Sequence, residues 1–265
     1  MAVVAPAGEE GRPVLSIENV DVRFGGIQAL IGVSLNVHKG EICGLIGPNG
    51  AGKTTLFNCI TRLSTVAAGT IRLHGQSIET LPPRQIVRMG IARTFQNLGI
   101  YAGMTVLENI MLGAHHLSGG RFVDALIRPG RSRRLEKEVE HRCRDILTDL
   151  SLQDVADVAA GSLPYATQKR MEIARALASR PTLLLLDEPA GGLTHGEVTE
   201  FGALVSRVRQ AYGVTVILIE HHMGLVMSLC DRVEVFHLGR NLASGRPDEV
   251  RANPAVINAY LGRSK

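Results

Sequence analysis

Cysteine pairs with the spacing of a metal site are missing from this sequence. Its four cysteines are far apart and form no CxxC motif, which argues against a zinc site and against a disulfide framework. We expect all four to be buried, reduced thiols. They are Cys43, Cys59, Cys143 and Cys230.

Long apolar runs are also missing. The longest, residues 183–186 and 214–219, are far shorter than the roughly 18 to 20 residues of a membrane-spanning helix. The N-terminus carries Glu9 and Glu10 where a signal peptide would have a basic start and a long apolar stretch. We therefore expect a chain that does not itself cross a membrane and that works in the cytosol.

A strong charge imbalance is absent too, since 29 Lys and Arg residues face 25 Asp and Glu residues, for a net charge of +4. This mild excess gives little support to a nucleic-acid partner and fits equally well a protein beside an anionic membrane surface. One stretch, residues 121–137, has six basic and two acidic residues. It is either a solvated surface or a patch that faces a membrane or a partner. We expect no nucleic-acid partner.

What is present is a chain of 265 residues, 45% of them hydrophobic, which is enough for one large domain or two small ones. The composition of residues 1–13, rich in Ala, Pro, Gly and Glu, predicts a flexible N-terminal lead. Alternating polarity over 14–38 predicts antiparallel strands with a turn at Gly25-Gly26. The remaining pattern predicts a strand over 41–46, a helix over 53–63, mainly helical structure over 98–153, helices over 168–179 and 197–211, and strands over 182–186, 214–219 and 232–238.

A glycine-rich loop between the predicted strand at 41–46 and the predicted helix at 53–63 matches the phosphate-binding P-loop. Glycines let successive backbone N–H groups point at phosphates, and the helix N-terminus adds its positive dipole end. Lys53 supplies a charge on the phosphates, Thr54 offers a hydroxyl to Mg²⁺, and Thr55 reaches the α-phosphate. The loop alone indicates only a nucleoside triphosphate, because kinases, GTPases, helicases and transporters share it. Its residues are Gly47, Pro48, Asn49, Gly50, Ala51, Gly52, Lys53 and Thr54.

A second acidic motif follows an apolar strand. Four leucines over 183–186 are followed by Asp187, Glu188 and Pro189. Such a strand brings its acids to the carboxyl edge of the sheet, beside the phosphate loop. Asp187 is then the expected partner of Mg²⁺ through water, and Glu188 the expected general base that activates water towards the γ-phosphate.

Further motifs, in the same order along the chain, resemble those of ABC transporter ATPases, and together they cover nearly all of it. Arg93-Thr94-Phe95-Gln96-Asn97 resembles the Q-loop of that family, which implies that Gln96 contacts Mg²⁺ and the attacking water. Leu218-Ile219-Glu220-His221-His222-Met223 resembles the switch region, which implies that His221 contacts the γ-phosphate. Phe24 stands where the family has an aromatic residue that stacks on adenine.

The family's signature and D-loop have counterparts as well. Leu163-Pro164-Tyr165-Ala166-Thr167-Gln168 occupies the position of the signature, which faces the ATP of the other subunit in a dimer. Pro164 stands where a serine is usual, and Ala166 stands where a second glycine allows the backbone to approach the γ-phosphate. Pro164, Tyr165 and Ala166 are therefore expected to contact nucleotide. Ala190-Gly191-Gly192-Leu193-Thr194 resembles the D-loop, which crosses between subunits.

The sequence is most similar, within that family, to the ATPase subunits of branched-chain amino-acid importers. The segments over 92–97, 104–109 and 245–262 carry this similarity. It implies ATP and Mg²⁺ as cofactors, and two membrane permease subunits, a second ATPase subunit and an extracytoplasmic solute-binding protein as partners. The chain would then sit at the cytoplasmic face of the membrane.

The resemblance also implies a fold: an α/β P-loop NTPase (RecA-like) core with an antiparallel β subdomain and an inserted α-helical subdomain. We expect one ATPase domain after the lead of residues 1–13. Its expected limits are 14–265 for the whole domain, 14–97 and 168–240 for the core, 98–167 for the helical subdomain, and 241–265 for a C-terminal extension.

Three alternatives stay open on the sequence. An ATPase of the same architecture can serve urea, amides or another solute, because other subunits select the solute. A non-transport ABC ATPase acting in DNA repair or on the ribosome is a second, although this chain has neither two cassettes nor long coiled coils. A P-loop kinase or GTPase is the third, and it leaves the signature, Q-loop and switch motifs unexplained.

Overall fold

The computed structural model describes residues 12–94, 99–117 and 129–261. Gln96, and residues 121–128 of the basic stretch, lie outside the described residues. Within them the strands are β1 (Leu15–Phe24), β2 (Ile27–Val37), β3 (Ile42–Ile46), β4 (Ala68–Leu73), β5 (Gln76–Ser77), β6 (Ile91–Arg93), β7 (Leu183–Asp187), β8 (Thr215–Ile219), β9 (Arg232–His237) and β10 (Arg240–Gly245).

The α-helices of the described residues, in chain order, are α1 (Lys53–Ile60), α2 (Pro83–Arg88), α3 (Val106–Gly113), α4 (Pro129–Asp149), α5 (Tyr165–Ala178), α6 (His195–Tyr212), α7 (Met223–Leu229), α8 (Pro247–Ala252) and α9 (Pro254–Leu261). Short 3-10 helices lie at His115–Leu117, Gln153–Val155 and Ala160–Ser162. None of the described helices is both long enough and apolar enough to cross a membrane.

Two sheets organise the chain. The smaller has the order β2-β1-β4-β5, and its strands pair antiparallel. The larger has the order β10-β9-β3-β8-β7-β6, with parallel pairing from β9 to β6 and an antiparallel edge strand, β10. Because β3, β7 and β8 run parallel in its centre, their carboxyl ends meet at one edge of the sheet.

The central strands are apolar because both of their faces are covered. Every residue of β3, β7 and β8 is buried, as is typical of parallel strands between two layers. Alternate side chains of β7 go to opposite faces. Leu184 and Leu186 join the core formed with α3, α4, α5 and α6, whereas Leu183 and Leu185 join the core formed with α1 and the smaller sheet.

The sequence predictions for individual elements are largely confirmed. The antiparallel pair around Gly25-Gly26, the three central strands and helix α6 lie at the predicted positions, and their ends differ from the predicted ones by at most two residues. Helix α5 begins earlier than the predicted residue 168, at Tyr165, because the Pro164 carbonyl accepts hydrogen bonds from the N–H groups of Thr167 and Gln168. All four cysteines are buried and free, as predicted.

Candidate active site

The phosphate loop leaves β3 and enters α1 through two glycines whose backbone conformations suit no other residue. Gly47 has a φ of 149° and Gly52 a φ of 101°, in the region that residues with a side chain avoid. A Cβ at Gly47 would collide with the Phe236 carbonyl, and one at Gly52 would collide with Leu30. Since Gly52 is the residue before α1 and has no side chain, the N–H groups of the first helical turn are left for an anion.

Lys53, the first residue of α1, is only 6% exposed. Its ammonium donates hydrogen bonds to the carbonyls of Gly47 at 2.7 Å and Pro48 at 3.1 Å. Burial lowers the pKa of Lys53, and the negative charges of Glu188 and Asp187 act in the opposite direction. The ammonium is therefore held against the loop carbonyls and is influenced electrostatically by Asp187 and Glu188.

A cavity of about 500 Å³ opens over this loop, a size typical of small-molecule sites. Loop residues form its floor, and Glu188 and His221 form part of its wall. The lining residues are Ala29, Asn49, Gly50, Ala51, Gly52, Lys53, Thr54, Thr55, Glu188 and His221. The structure thus brings the predicted phosphate loop, the predicted general base and the predicted switch histidine to one cavity.

Glu188 follows the last residue of β7 and has a φ of 47°, which is strained for a residue with a side chain. Its backbone N–H donates to the Ile219 carbonyl at 2.9 Å. Its side chain reaches His221, where the distance between Glu188 Oε1 and His221 Nε2 is 2.7 Å. The carboxylate and the imidazole are therefore in direct contact at the cavity wall.

Glu220 orders the two segments that adjoin this contact, a role that the sequence motifs do not predict. It is 2% exposed. One carboxylate oxygen accepts from the Ala190 N–H at 2.7 Å, and the other accepts from the N–H groups of His221 at 2.8 Å and His222 at 3.1 Å. One buried acid thus fixes the backbone of the switch region and the start of the D-loop. Its position directly after the apolar strand β8 was the available signal.

Arg93 is a second residue without a predicted role, although it lies in the Q-loop motif. Its guanidinium forms a buried ion pair with Asp187, with 2.7 Å between Arg93 Nη2 and Asp187 Oδ2. The other terminal nitrogen donates to Asn58 Oδ1 of α1, also at 2.7 Å. Asp187 is therefore tied to an arginine and, through it, to the helix that follows the phosphate loop.

The remaining predicted residues lie elsewhere. Phe24 is 52% exposed at the end of β1, so it is not a core phenylalanine. Pro164 and Tyr165 are exposed and Ala166 is half-buried at the start of α5. None of these four residues lines the cavity over the phosphate loop. The Tyr165 ring instead lies against Gly192, where an added Cβ would be 3.1 Å from Tyr165 Cε1, which joins the signature segment to the D-loop segment.

The C-terminal helix also reaches the phosphate loop. Tyr260 lies on α9, which packs beside α8 and β10. Burial raises the pKa of Tyr260, and a hydrogen bond with the backbone of Gly47 acts in the opposite direction. The first glycine of the loop is thus contacted from the C-terminal end of the chain.

Comparison with known protein families gives two matches. Residues 30–191 match the family described as ABC transporter. Residues 240–265 match a second family, described as branched-chain amino acid ATP-binding cassette transporter. The first match spans more than half of the chain, and the second covers its C-terminal end.

Curated relatives align along almost the full chain. The high-affinity branched-chain amino acid transport ATP-binding protein BraF of Pseudomonas aeruginosa is 43% identical over 253 residues, which cover 96% of this chain and 99% of the relative. The corresponding protein LivG of Escherichia coli is 42% identical with the same coverage. A probable LivG of Archaeoglobus fulgidus is 33% identical, over 94% of this chain and 95% of its own.

Two solved structures of an ATP-binding cassette from an ABC transporter share the fold. One is nucleotide-free and has a TM-score of 0.82, 32% identity, and coverage of 94% of this chain and 98% of its own. The other, in an ADP conformation, also has a TM-score of 0.82 and 32% identity, and covers 95% and 99%. Both solved structures therefore share the two-sheet α/β architecture of this chain.

Proposed function

This chain belongs to the ABC transporter family and is an ATPase of that family, and we propose that it powers the import of branched-chain amino acids. The observation that carries the proposal is the match of residues 240–265 to the branched-chain amino acid cassette family. The match to residues 30–191 is to the ABC transporter family as a whole, whereas the C-terminal match is specific to one solute class, in agreement with the names of the relatives BraF and LivG.

The geometry supports ATP hydrolysis in the cavity over the phosphate loop. The Lys53 ammonium donates to loop carbonyls in this structure. When ATP binds, the same ammonium is placed to bind phosphate oxygens. Glu188 is the proposed general base for water, and His221, in contact with it at 2.7 Å, holds the carboxylate and reaches the γ-phosphate. The two side chains therefore share the task of orienting water for attack.

The residues at this site suit Mg²⁺. This ion takes oxygen ligands and is commonly held by one or two carboxylates together with substrate phosphates and water. Thr54 lines the cavity, and Asp187 ends β7 directly before Glu188, which lines the same cavity. Both are oxygen donors, and Mg²⁺ bound there supplies charge neutralisation of the phosphates. Gln96, the third proposed ligand, lies outside the described residues.

Subunits of this family work with membrane permease subunits. We assign to this chain two permease partners, a second ATPase subunit and an extracytoplasmic solute-binding protein, and a place at the cytoplasmic face of the membrane. Pro164, Tyr165 and Ala166 are proposed to contact the ATP of the second ATPase subunit, consistent with their position outside this chain's own cavity.

We also assign a role to each part of the chain. Residues 14–97 and 168–240 are the proposed catalytic core, residues 98–167 the helical part that meets the membrane subunits, and residues 241–265 the C-terminal extension. The smaller sheet, the parallel strands of the larger sheet and the cavity belong to the first of these, and the edge strand β10 lies almost entirely in the extension. Tyr260, in the extension, is hydrogen-bonded to the backbone of Gly47 and so connects the extension to the phosphate loop.

Uptake of labelled leucine, isoleucine and valine tests the proposal. Cells that lack this chain are complemented with the wild type, with Glu188→Gln, or with the control Glu140→Gln. Glu140 forms an exposed pair with Arg144 on α4, so its substitution removes the same charge without touching the cavity.

We expect the wild type and Glu140→Gln to restore uptake of all three amino acids and Glu188→Gln to fail at the same protein level. Unchanged uptake in cells that lack the chain would contradict the branched-chain assignment. Urea, amides and other amino acids would then be tested in the same three strains.

A further inference from the structure

Arg93 connects the two segments that form the nucleotide site. It is the last residue of β6, opposite Leu185 of β7. One end of its guanidinium donates to Asp187 Oδ2 at the end of β7, and the other donates to Asn58 Oδ1 of α1, each at 2.7 Å. The guanidinium carbon also lies 5.5 Å from the centre of the Phe57 ring. The side chain is thus held at three points.

This ion pair is almost fully enclosed, with the Arg93 side chain 7% exposed and that of Asp187 4% exposed. Removing two charges from water is costly, and apolar residues often replace such a pair without loss of stability. The ion pair is therefore weak evidence for a role in stabilising the β6–β7 contact. The place of the pair beside the phosphate loop indicates a role in the chemistry of the site.

The two carboxylate oxygens of Asp187 differ in their hydrogen bonds. Oδ2 accepts from Arg93. For Oδ1, no hydrogen-bond partner occurs among residues 12–94, 99–117 and 129–261. Asp187 ends β7 directly before Glu188, which lines the cavity over the phosphate loop. One oxygen is fixed by the guanidinium, and the other is left for a water molecule of a hydrated metal ion.

We propose that Arg93 is a positioning residue for Mg²⁺: it binds Oδ2 of Asp187, anchors it to Asn58 of α1, and so orients Oδ1 towards the water shell of the ATP-bound metal. This inference rests on the proposed ATP- and Mg²⁺-dependent function. Groups that orient a metal's partners in this way commonly change metal affinity by roughly 10- to 100-fold when they are removed.

The test measures ATP affinity by calorimetry with the full-length chain, once with excess Mg²⁺ and once with EDTA. All variants carry Glu188→Gln so that ATP survives the titration. The quantity compared is the ratio of the two dissociation constants, which is the gain that Mg²⁺ gives to ATP binding. The variants are Arg93→Met, Arg93→Lys, Asp187→Asn and the double variant Arg93→Met/Asp187→Asn. Arg209→Met is the control, because it breaks a 2.6 Å guanidinium–carboxylate pair with Asp231 outside the cavity.

We expect Arg93→Met to lower the Mg²⁺ gain by roughly 10- to 100-fold and to leave the affinity in EDTA within about threefold. Arg93→Lys keeps the charge but lacks the planar guanidinium fork that donates to Asp187 and Asn58 in fixed directions, so it recovers only part of the gain. Asp187→Asn loses the gain, and adding Arg93→Met to it changes nothing further. Arg209→Met keeps the full gain.

Arg93→Met leaves Asp187 as a buried carboxylate without its cation and can fail to fold for that reason. The double variant buries no unpaired charge, and Arg93→Lys retains the cation. If Arg93→Met does not fold, Arg93→Lys is compared with the reference chain and with the double variant Arg93→Met/Asp187→Asn.

A full Mg²⁺ gain in the Arg93 variants, a gain above that of the reference chain, or an equal loss of affinity in Mg²⁺ and in EDTA would overturn the inference. So would a further loss on adding an Arg93 substitution to Asp187→Asn. A reference chain, with Glu188→Gln alone, that shows no Mg²⁺ gain would contradict the proposed function itself, and the two failures are thereby distinguished.

Discussion

The phosphate loop and the signature segment differ in how they are held. In the loop, Lys53 is buried and bonded to two loop carbonyls, and the neighbouring Glu188 is bonded to His221. At the signature, Pro164 and Tyr165 are exposed, and Pro164 gives α5 no side-chain cap. One region is fixed within the chain and the other faces outwards, which is the arrangement expected if each ATP lies between two chains.

Among substitutions in the two regions, replacement of Lys53 should have the largest effect on ATP affinity. Lys53→Ala removes the charge-assisted contact to the phosphates, so we expect ATP affinity to fall by at least about 100-fold, or roughly 3 kcal/mol. Calorimetric titration with ATP measures it, with the exposed Lys39→Ala as the charge-matched control. Retained affinity in Lys53→Ala would mean that the loop is not the phosphate site.

Glu220 offers a way to loosen the switch region and the D-loop together. Glu220→Gln replaces one acceptor oxygen with an amide and leaves a buried N–H group of Ala190 or of the switch without a partner. We expect the free energy of unfolding to fall by about 2 kcal/mol and ATP turnover to fall by roughly tenfold or more, since misplacement of about 1 Å can cost 100-fold.

Denaturant titration and a steady-state ATPase assay measure these two effects. ATP affinity should change little, because Lys53 does not contact Glu220. The exposed Glu200→Gln serves as control. Normal turnover in Glu220→Gln would show that the buried acid is structural only.

A substitution of Ala166 tests whether the signature segment has been assigned correctly. Ala166→Gly removes a methyl group at the first turn of α5, so ATP turnover of the assembled transporter should be unchanged or higher. The price in stability is about 0.5 to 1 kcal/mol, because glycine is the poorer helix former. A large loss of turnover without unfolding would indicate that the signature has been assigned to the wrong residues.

The core beside the phosphate loop and the core of the helical part of the chain should behave alike, even though the surfaces of the loop and of the signature segment differ. Burial raises the pKa of Cys59, in α1, and of Cys143, in α4, to about 11 from 9.0. Their thiolate fractions are then lowered by about 100-fold. We expect no labelling of any cysteine by a thiol reagent at pH 8 and labelling of four thiols after denaturation. Rapid labelling of Cys143 alone would mean that the helical region opens more readily than the phosphate loop.

The sequence predicted what depends on local pattern. The apolar strands β3, β7 and β8, the phosphate loop and the paired acids each follow from a few adjacent residues, and the structure places Lys53, Glu188 and His221 at one cavity. The roles of Arg93 and Glu220 depend on pairing between strands and loops that are about 30 to 94 residues apart, and no local pattern encodes such contacts. The early start of α5 depends on the Pro164 carbonyl, which propensity alone does not reveal.

The central claim is that this chain carries its own general base beside the phosphate loop. It is tested most directly by measuring ATP binding and single-turnover hydrolysis for the wild type and Glu188→Gln. We predict unchanged or tighter ATP binding and hydrolysis slower by roughly 100- to 10,000-fold in the variant. Hydrolysis by Glu188→Gln at nearly the wild-type rate would contradict the account.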